Sequence, residues 1–108
     1  MAGIYGSWAS RRENIVELGT LTSLTSTSSV EVSGNNFTFV HDVTGAAVKV
    51  VDEGSLDGTH WFSLDTEKTH NESGITAYFY AARIVRYVRS RATAIDSGES
   101  VTITMACD

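Results

Sequence analysis

The chain has 108 residues, of which 42% are hydrophobic and 19% are charged, a composition typical of one globular domain rather than a disordered or fibrous protein. The net charge of −5 argues against a general affinity for nucleic acid, and no apolar run approaches the roughly 18 residues of a membrane span. The single cysteine, Cys107, excludes an internal disulfide and a thiolate metal cluster.

The first residues, 1–14, follow neither the helical nor the strand period, and they contain Trp8 and the pair Arg11 and Arg12. We predict an extended N-terminal arm that becomes ordered on a partner, with Trp8 as apolar anchor and the two arginines as charge contacts. The alternatives are a frayed terminus and an added strand. Because the arm lacks the basic-then-apolar order of a signal peptide, we expect a soluble protein that is not classically secreted.

The rest of the chain, 15–108, has the pattern of a single β-domain. Residues 18–29 are rich in Thr and Ser, which predicts extended structure followed by a turn. From residue 30 onward, short apolar runs alternate with Gly, Asn and Asp. We predict strands near 30–32, 37–40, 46–51, 61–64, 75–80, 85–94 and 101–105, with a break at 41–45 and a polar loop at 65–74. Seven or eight strands at this spacing predict an all-β fold, an antiparallel sandwich or jelly roll.

The pair Asp57-Gly58 separates two apolar runs and therefore predicts a hairpin turn. We expect the strand after this turn to deliver Trp61, Phe62 and Leu64 to the core. In the last strand Val101, Ile103 and Met105 alternate with threonines, which predicts one buried face. The predicted core comprises Val48, Val50, Trp61, Leu64, Val88, Val101 and Ile103.

No group of residues has the spacing of a catalytic or metal site. The carboxylates that lie near one another along the chain match no calcium loop, and the three histidines have no spacing that aims two imidazoles at one metal. Because the chain also has neither a nucleophile elbow nor a Gly-rich phosphate loop, we expect a noncatalytic protein without cofactor or metal. The residues considered are Asp52, Glu53, Asp57, Asp65, Glu67, His41, His60 and His70.

The segment 83–95 concentrates arginine on a predicted strand. Alternation places Tyr87, Arg89 and Arg91 on one face and Arg86 on the other. One interpretation is a solvated strand whose arginine stems cover apolar surface. The other is an interface strand in which Arg86, Arg89 and Arg91 pair with the carboxylates of a partner.

Proline is absent from the chain, although exposed edge strands often carry proline or charge that blocks further pairing. The edges of the predicted sheets are therefore covered by a partner subunit or protected by charged residues. In the run 78–80, alternation exposes either Tyr78 and Tyr80 or Phe79, and the sequence leaves both open.

The segments EGSLDGTHWFSLDTE, ITAYFY, RIVRYVRSRATAI and SGESVTITM, within about residues 46–105, resemble a family of small β-sandwich proteins of tailed bacteriophages. The Ser-x-Asp-Gly-x-x-Trp turn and the Arg-Tyr-Val-Arg strand also resemble the framework of discoidin-type and carbohydrate-binding jelly rolls. A shared framework implies the fold without transferring a ligand.

The phage resemblance implies a capsid decoration, or cement, protein on the exterior of the virion. Its implied partners are the major capsid protein and further copies of itself, in a trimer, with neither nucleic acid nor membrane. A tail or baseplate structural protein is the alternative within this class. A carbohydrate-binding module and a small hydrolase are alternatives from other classes, and they require a sugar platform and a pocket with perturbed carboxylates respectively.

Overall fold

The computed structural model describes residues 15–108, which form two antiparallel sheets packed as a sandwich, and this confirms the predicted fold class. The strands in this part of the chain are β1 (Ile15–Leu21), β2 (Val30–Glu31), β3 (Phe37–Thr44), β4 (Val48–Ser55), β5 (Trp61–Ser63), β6 (Lys68–His70), β7 (Gly74–Tyr80), β8 (Tyr87–Ala94) and β9 (Ser100–Cys107). Nothing in residues 15–108 forms a helix long and apolar enough to cross a membrane. The predicted arm with Trp8, Arg11 and Arg12 lies outside the described residues.

The first sheet has the strand order β1-β9-β3-β7, so that β7 is an edge strand. The second sheet has the order β2-β8-β4, and β5 and β6 pair with different parts of the remaining edge of β4. The most extensive strand pairings join strands that are distant in the chain, such as β3 with β9 and β4 with β8. The fold therefore depends on non-local pairing, and its faces carry residues from both halves of the chain.

The core lies between the two sheets and consists of every second residue of the central strands. On β3 the inward residues include Phe37, Phe39 and Val43, and all three are buried. This is the alternation expected of a strand with one face on the core. Of the predicted core residues, Val48, Val50, Leu64, Val88, Val101 and Ile103 are confirmed as buried.

The prediction that Trp61 lies in the core is wrong. Trp61 pairs with Ser55 on the outside of the second sheet, where its ring lies under the guanidinium group of Arg89 at 4.1 Å from the ring centroid. It is half-buried, and Phe62 beside it is exposed. The three residues of β5 cover an edge of the sandwich, so the only neighbouring residue that reaches the core is Leu64, just after the strand.

Two local predictions are also wrong. The predicted break at 41–45 lies largely within β3, which continues through His41 to Thr44, and the predicted loop at 65–74 contains the short strand β6. Both errors have the same cause. Polar residues such as His41 and His70 were assigned to loops, whereas the fold buries them between the sheets.

The hairpin between β4 and β5 forms at the predicted pair Asp57-Gly58. Gly58 has a φ of +79°, a conformation that glycine adopts without steric cost. Asp57 Oδ1 accepts hydrogen bonds from the backbone N–H groups of Thr59 and His60, both at 2.8 Å. These bonds and the His60 side chain hold the pKa of Asp57 well below its usual range, so this carboxylate stabilises the turn.

Candidate functional site

A cluster of polar side chains lies inside the sandwich, and Asp52 of β4 is its centre. Asp52 Oδ1 accepts a hydrogen bond from the Ser90 hydroxyl at 2.7 Å, and Oδ2 accepts one from the Tyr80 hydroxyl at 2.6 Å. Nε2 of His41 lies 2.9 Å and 3.0 Å from the two oxygens. Because these side chains come from β3, β4, β7 and β8, this Asp52 cluster joins the two sheets.

The cluster satisfies its own polar groups. Asp52, His41 and Ser90 are at most 1% exposed, and no buried side-chain nitrogen or oxygen in the described part of the chain lacks a hydrogen-bond partner. Burial and the charge of Asp52 raise the pKa of Tyr80 above its usual range, so its hydroxyl keeps the proton that it donates. A complete network of this kind stabilises the fold, whereas an incomplete one would destabilise it.

The hydrogen-bonded chain continues from the Asp52 cluster to a cavity at the surface. Nδ1 of His41 lies 3.1 Å from Nε2 of His70, and the ring of Tyr78 packs against the His41 ring with centroids 4.8 Å apart. His70 and Tyr78 also line a cavity of about 330 Å³ formed by residues 69–76 and Tyr78. His70 is therefore the end of the chain that borders the cavity.

The order carboxylate, imidazole, imidazole is the order of a proton relay, and the described residues place no nucleophile beside it. Within residues 15–108, no serine, threonine or cysteine side chain forms a hydrogen bond with His41 or His70. The Ser90 hydroxyl donates a hydrogen bond to Asp52, but Ser90 is fully buried, so its oxygen cannot contact a substrate. The described residues contain no group of three or more His, Cys, Asp or Glu that could hold a metal ion. The arrangement explains how the sheets are joined, and it identifies no reaction.

Sequence reasoning missed the Asp52 cluster, although a signal was present. His41 follows Phe37 and Phe39 at intervals of two, and Asp52 follows Val48 and Val50 in the same way. Polar residues that continue the inward alternation of a strand are candidates for a buried network. The contact between His41 and His70, which are 29 residues apart, requires the sheet pairing and has no local signal.

The stability of the protein should decrease below about pH 6.5 because of His70. Burial, followed by the neighbouring His41, lowers the pKa of His70 from its ordinary value of 6.5, with Asp52 acting in the opposite direction. The unfolded state then binds a proton that the folded state does not, so the free energy of unfolding falls between pH 6.5 and the lower folded pKa. Thermal melts at several pH values test this, and His70→Gln should reduce the loss. The control variant His60→Gln, at an exposed histidine, should lose stability below pH 6.5 as the wild type does. If His70→Gln loses as much stability as the wild type, groups other than His70 cause the loss.

The predicted arginine strand lies in β8, and the alternation of its two faces agrees with the prediction. Val88, Ser90 and Ala92 point inward and are buried, while Arg89 and Arg91 lie on the outer face of the second sheet. Both guanidinium groups donate to the carboxylate of Glu53, Arg89 at 2.9 Å and Arg91 at 3.2 Å. Glu53 is buried beneath them. These two arginines therefore already have a partner within the chain.

The third predicted arginine, Arg86, lies immediately before β8 and does not join the other two. Its Nε donates to Glu31 of β2 at 2.8 Å, and both side chains are more than half exposed. An exposed ion pair contributes little to stability and can exchange partners at low cost. The structure thus brings Arg89 and Arg91 together around Glu53, whereas Arg86 forms a separate ion pair with Glu31.

The outer side of the first sheet has a different composition. We use the term first-sheet face for the outward side chains of β1, β3, β7 and β9. They are Ile15, Glu17, Thr20, Thr38, Val40, Asp42, Thr44, Ile75, Ala77, Phe79, Ser100, Thr102, Thr104 and Ala106. Two of these residues are acidic, none is basic, and the remainder are apolar, threonine or serine. Of the two alternations that the sequence left open at 78–80, the structure exposes Phe79, whereas Tyr80 is buried.

Comparisons with known proteins add no identification. No protein-family model matches the chain, and a search of curated proteins found no significant similarity.

Proposed function

We propose that the protein is a noncatalytic structural protein that binds other protein surfaces through its first-sheet face. We further propose that its partner is the shell of a tailed-bacteriophage capsid, which it decorates and stabilises from the exterior. On this proposal it is made in the host cytoplasm, uses no cofactor and associates with further copies of itself.

The contrast between the two outer faces of the sandwich carries the proposal. The second sheet presents ion pairs, with Arg89 and Arg91 bound to Glu53, as is usual for a face in contact with water. The first-sheet face presents Ile75 and Phe79 among threonines, alanines and the two carboxylates Glu17 and Asp42, without any basic residue. Exposed aromatic and large apolar side chains are typical of the core of a protein interface.

This contrast favours the first-sheet face over the arginine strand as the main attachment surface. A partner carboxylate that bound Arg89 or Arg91 would have to compete with Glu53, which is buried and already receives both guanidinium groups. Arg86 and the arm residues Trp8, Arg11 and Arg12 remain predicted partner contacts.

The capsid as partner rests on the resemblance of residues 46–105 to small β-sandwich proteins of tailed bacteriophages, which also implies a trimer. The mechanism follows from contact area. A rigid sandwich that covers the joint between neighbouring capsid subunits adds contacts that must break together, so the joint resists internal pressure. Such a role requires an exposed apolar contact surface, and Ile75 and Phe79 supply one on the first-sheet face.

Pelleting with capsids tests this function. Purified protein is mixed with empty expanded capsids of the phage whose genome encodes it, and the capsids are sedimented. We expect the protein to pellet at a fixed ratio per capsid subunit and the decorated capsids to withstand higher temperature. Thr104→Arg places a bulky cation in the middle of the first-sheet face and should weaken binding by roughly tenfold or more.

Thr59→Arg is the matched control, because it makes the same change in the exposed β4–β5 hairpin. Thermal melts must first establish that both variants fold. Protein that stays in the supernatant with capsids, or that binds phage tails and not capsids, contradicts the proposal. Equal binding by the two variants refutes the assignment to the first-sheet face, and a loss on deletion of residues 2–12 instead assigns attachment to the arm.

A further inference from the structure

β7 is an edge strand of the first sheet. Within residues 15–108, β7 pairs only with β3, and its second edge meets no described strand. Its seven residues, Gly74–Tyr80, include no charged residue and no proline. Exposed edges are normally protected by short length, charge, proline or a bulge, because unpaired N–H and C=O groups recruit other strands. A long uncharged edge of this kind is suited to strand addition.

The exposed apolar residues of β7 are arranged symmetrically about Ala77. Ile75 is 72% exposed and Phe79 is 70% exposed, and each lies two positions from Ala77 on the same outer side of the sheet. In an antiparallel pair of two copies centred on Ala77, Ile75 of one copy lies opposite Phe79 of the other. The two Ala77 residues lie opposite each other. Cross-strand pairs of a β-branched and an aromatic residue are among the favourable ones in sheets, so β7 is complementary to itself.

The charges beside β7 favour the antiparallel arrangement. Asp42 of β3 lies next to Ile75 and is the only charged residue of β3 or β7 on the first-sheet face. An antiparallel pair places the two Asp42 carboxylates at opposite ends of the new contact. A parallel pair would place them at the same end, about 14 Å apart across the two β7 strands, where salt leaves a weak repulsion. The antiparallel arrangement also has two-fold symmetry, which is the commonest symmetry of protein dimers.

We propose that the occupant of this edge is a second copy of the chain, with the two β7 strands paired antiparallel about Ala77. The contact joins two four-stranded sheets into one continuous sheet and doubles the extent of the first-sheet face. In this respect it deepens the proposed function, on which it rests. A two-fold contact joins copies in pairs. In a protein that also forms trimers through another surface, this contact would link one trimer to the next. A single strand pair is a small interface, so self-association should depend on concentration.

Disulfide trapping in the full-length chain tests the register. In a Cys107→Ser background, Ala77→Cys should form a covalent dimer under mild oxidation, because directly opposed residues of antiparallel strands lie within disulfide distance. Ile75→Cys is the control. It is highly exposed, but it lies opposite Phe79 rather than its own copy, so it should cross-link roughly tenfold less. Equal cross-linking at both positions, or none at Ala77, overturns the proposed register.

Sedimentation of the free protein over a range of concentrations tests the contact independently of capsids. We expect the wild-type protein to form dimers. Either Ile75→Glu or Phe79→Lys should dissociate them, whereas Leu56→Lys, a change at an exposed hairpin residue, should have no effect. The double variant Ile75→Glu with Phe79→Lys should recover association, because each glutamate then faces a lysine of the other copy. A monomer at every concentration overturns the inference, as does a trimer that survives Phe79→Lys. Capsid pelleting is measured separately, so a capsid-binding monomer refutes this contact without refuting the proposed function.

Discussion

Replacement of Asp52 by alanine should cost about 3–5 kcal/mol of the free energy of unfolding, because the change removes one partner from a buried charged network. The Tyr80 and Ser90 hydroxyls and His41 Nε2 all lose their acceptor, and each is buried where water cannot replace it. Such a loss is a large part of the ~5–15 kcal/mol that stabilises a typical domain. We expect the melting temperature to fall by at least ~10 °C.

Two further variants keep this prediction decisive if the alanine variant does not fold. Asp52→Asn retains one acceptor oxygen and should fold with an intermediate loss of stability. Asp42→Asn makes the same change of charge at an exposed position of β3 and should melt close to the wild-type temperature. Equal melting temperatures for Asp52→Asn and Asp42→Asn would mean that the Asp52 cluster does not stabilise the fold.

Truncation of Phe39 to alanine should also cost about 3–5 kcal/mol, by the loss of buried area and the formation of a cavity. Phe39 is fully buried at the centre of β3, and its ring packs edge-on against Tyr80 with centroids 5.6 Å apart. The Phe39 ring therefore helps to fix the position of the Tyr80 ring, whose hydroxyl donates a hydrogen bond to Asp52. The cavity should loosen this hydrogen bond in addition to removing apolar contacts.

Phe79→Ala provides a matched comparison, because it deletes the same ring from the neighbouring strand of the same sheet. Phe79 points outward and is largely exposed, so its loss should change stability little. Urea or thermal unfolding of both variants measures the difference. A similar loss of stability in the two variants would contradict the assignment of inner and outer faces to β3 and β7.

The fold class was predictable because short-range patterns in the sequence identify its strands and turns. The alternation of Val101, Ile103 and Met105 identified a strand with one buried face, and Asp57-Gly58 located a hairpin. The position of Trp61 was not predictable in the same way. The face of the sheet on which Trp61 lies is set by the register of β5 on β4. The large area of an indole does not indicate which face of a sheet it covers.

The candidate site was less accessible to sequence reasoning. The arginines of β8 were predicted on the correct faces, but their pairing with Glu53 depends on the neighbouring strand β4. His41 and His70 were misassigned because a polar residue in a short chain is more often exposed than buried. The first-sheet face combines four strands that span the whole described chain, so no local segment contains its composition.

Electron cryomicroscopy of capsids with the protein bound tests the central claim most directly, because it locates the protein and orients its sandwich. We predict additional density at the joints between capsid subunits, with the first-sheet face against the shell and the Glu53–Arg89–Arg91 group towards solvent. Saturating protein that adds no density to the capsids would contradict the proposed function. Density in which the second sheet lies against the shell would contradict the assigned binding face.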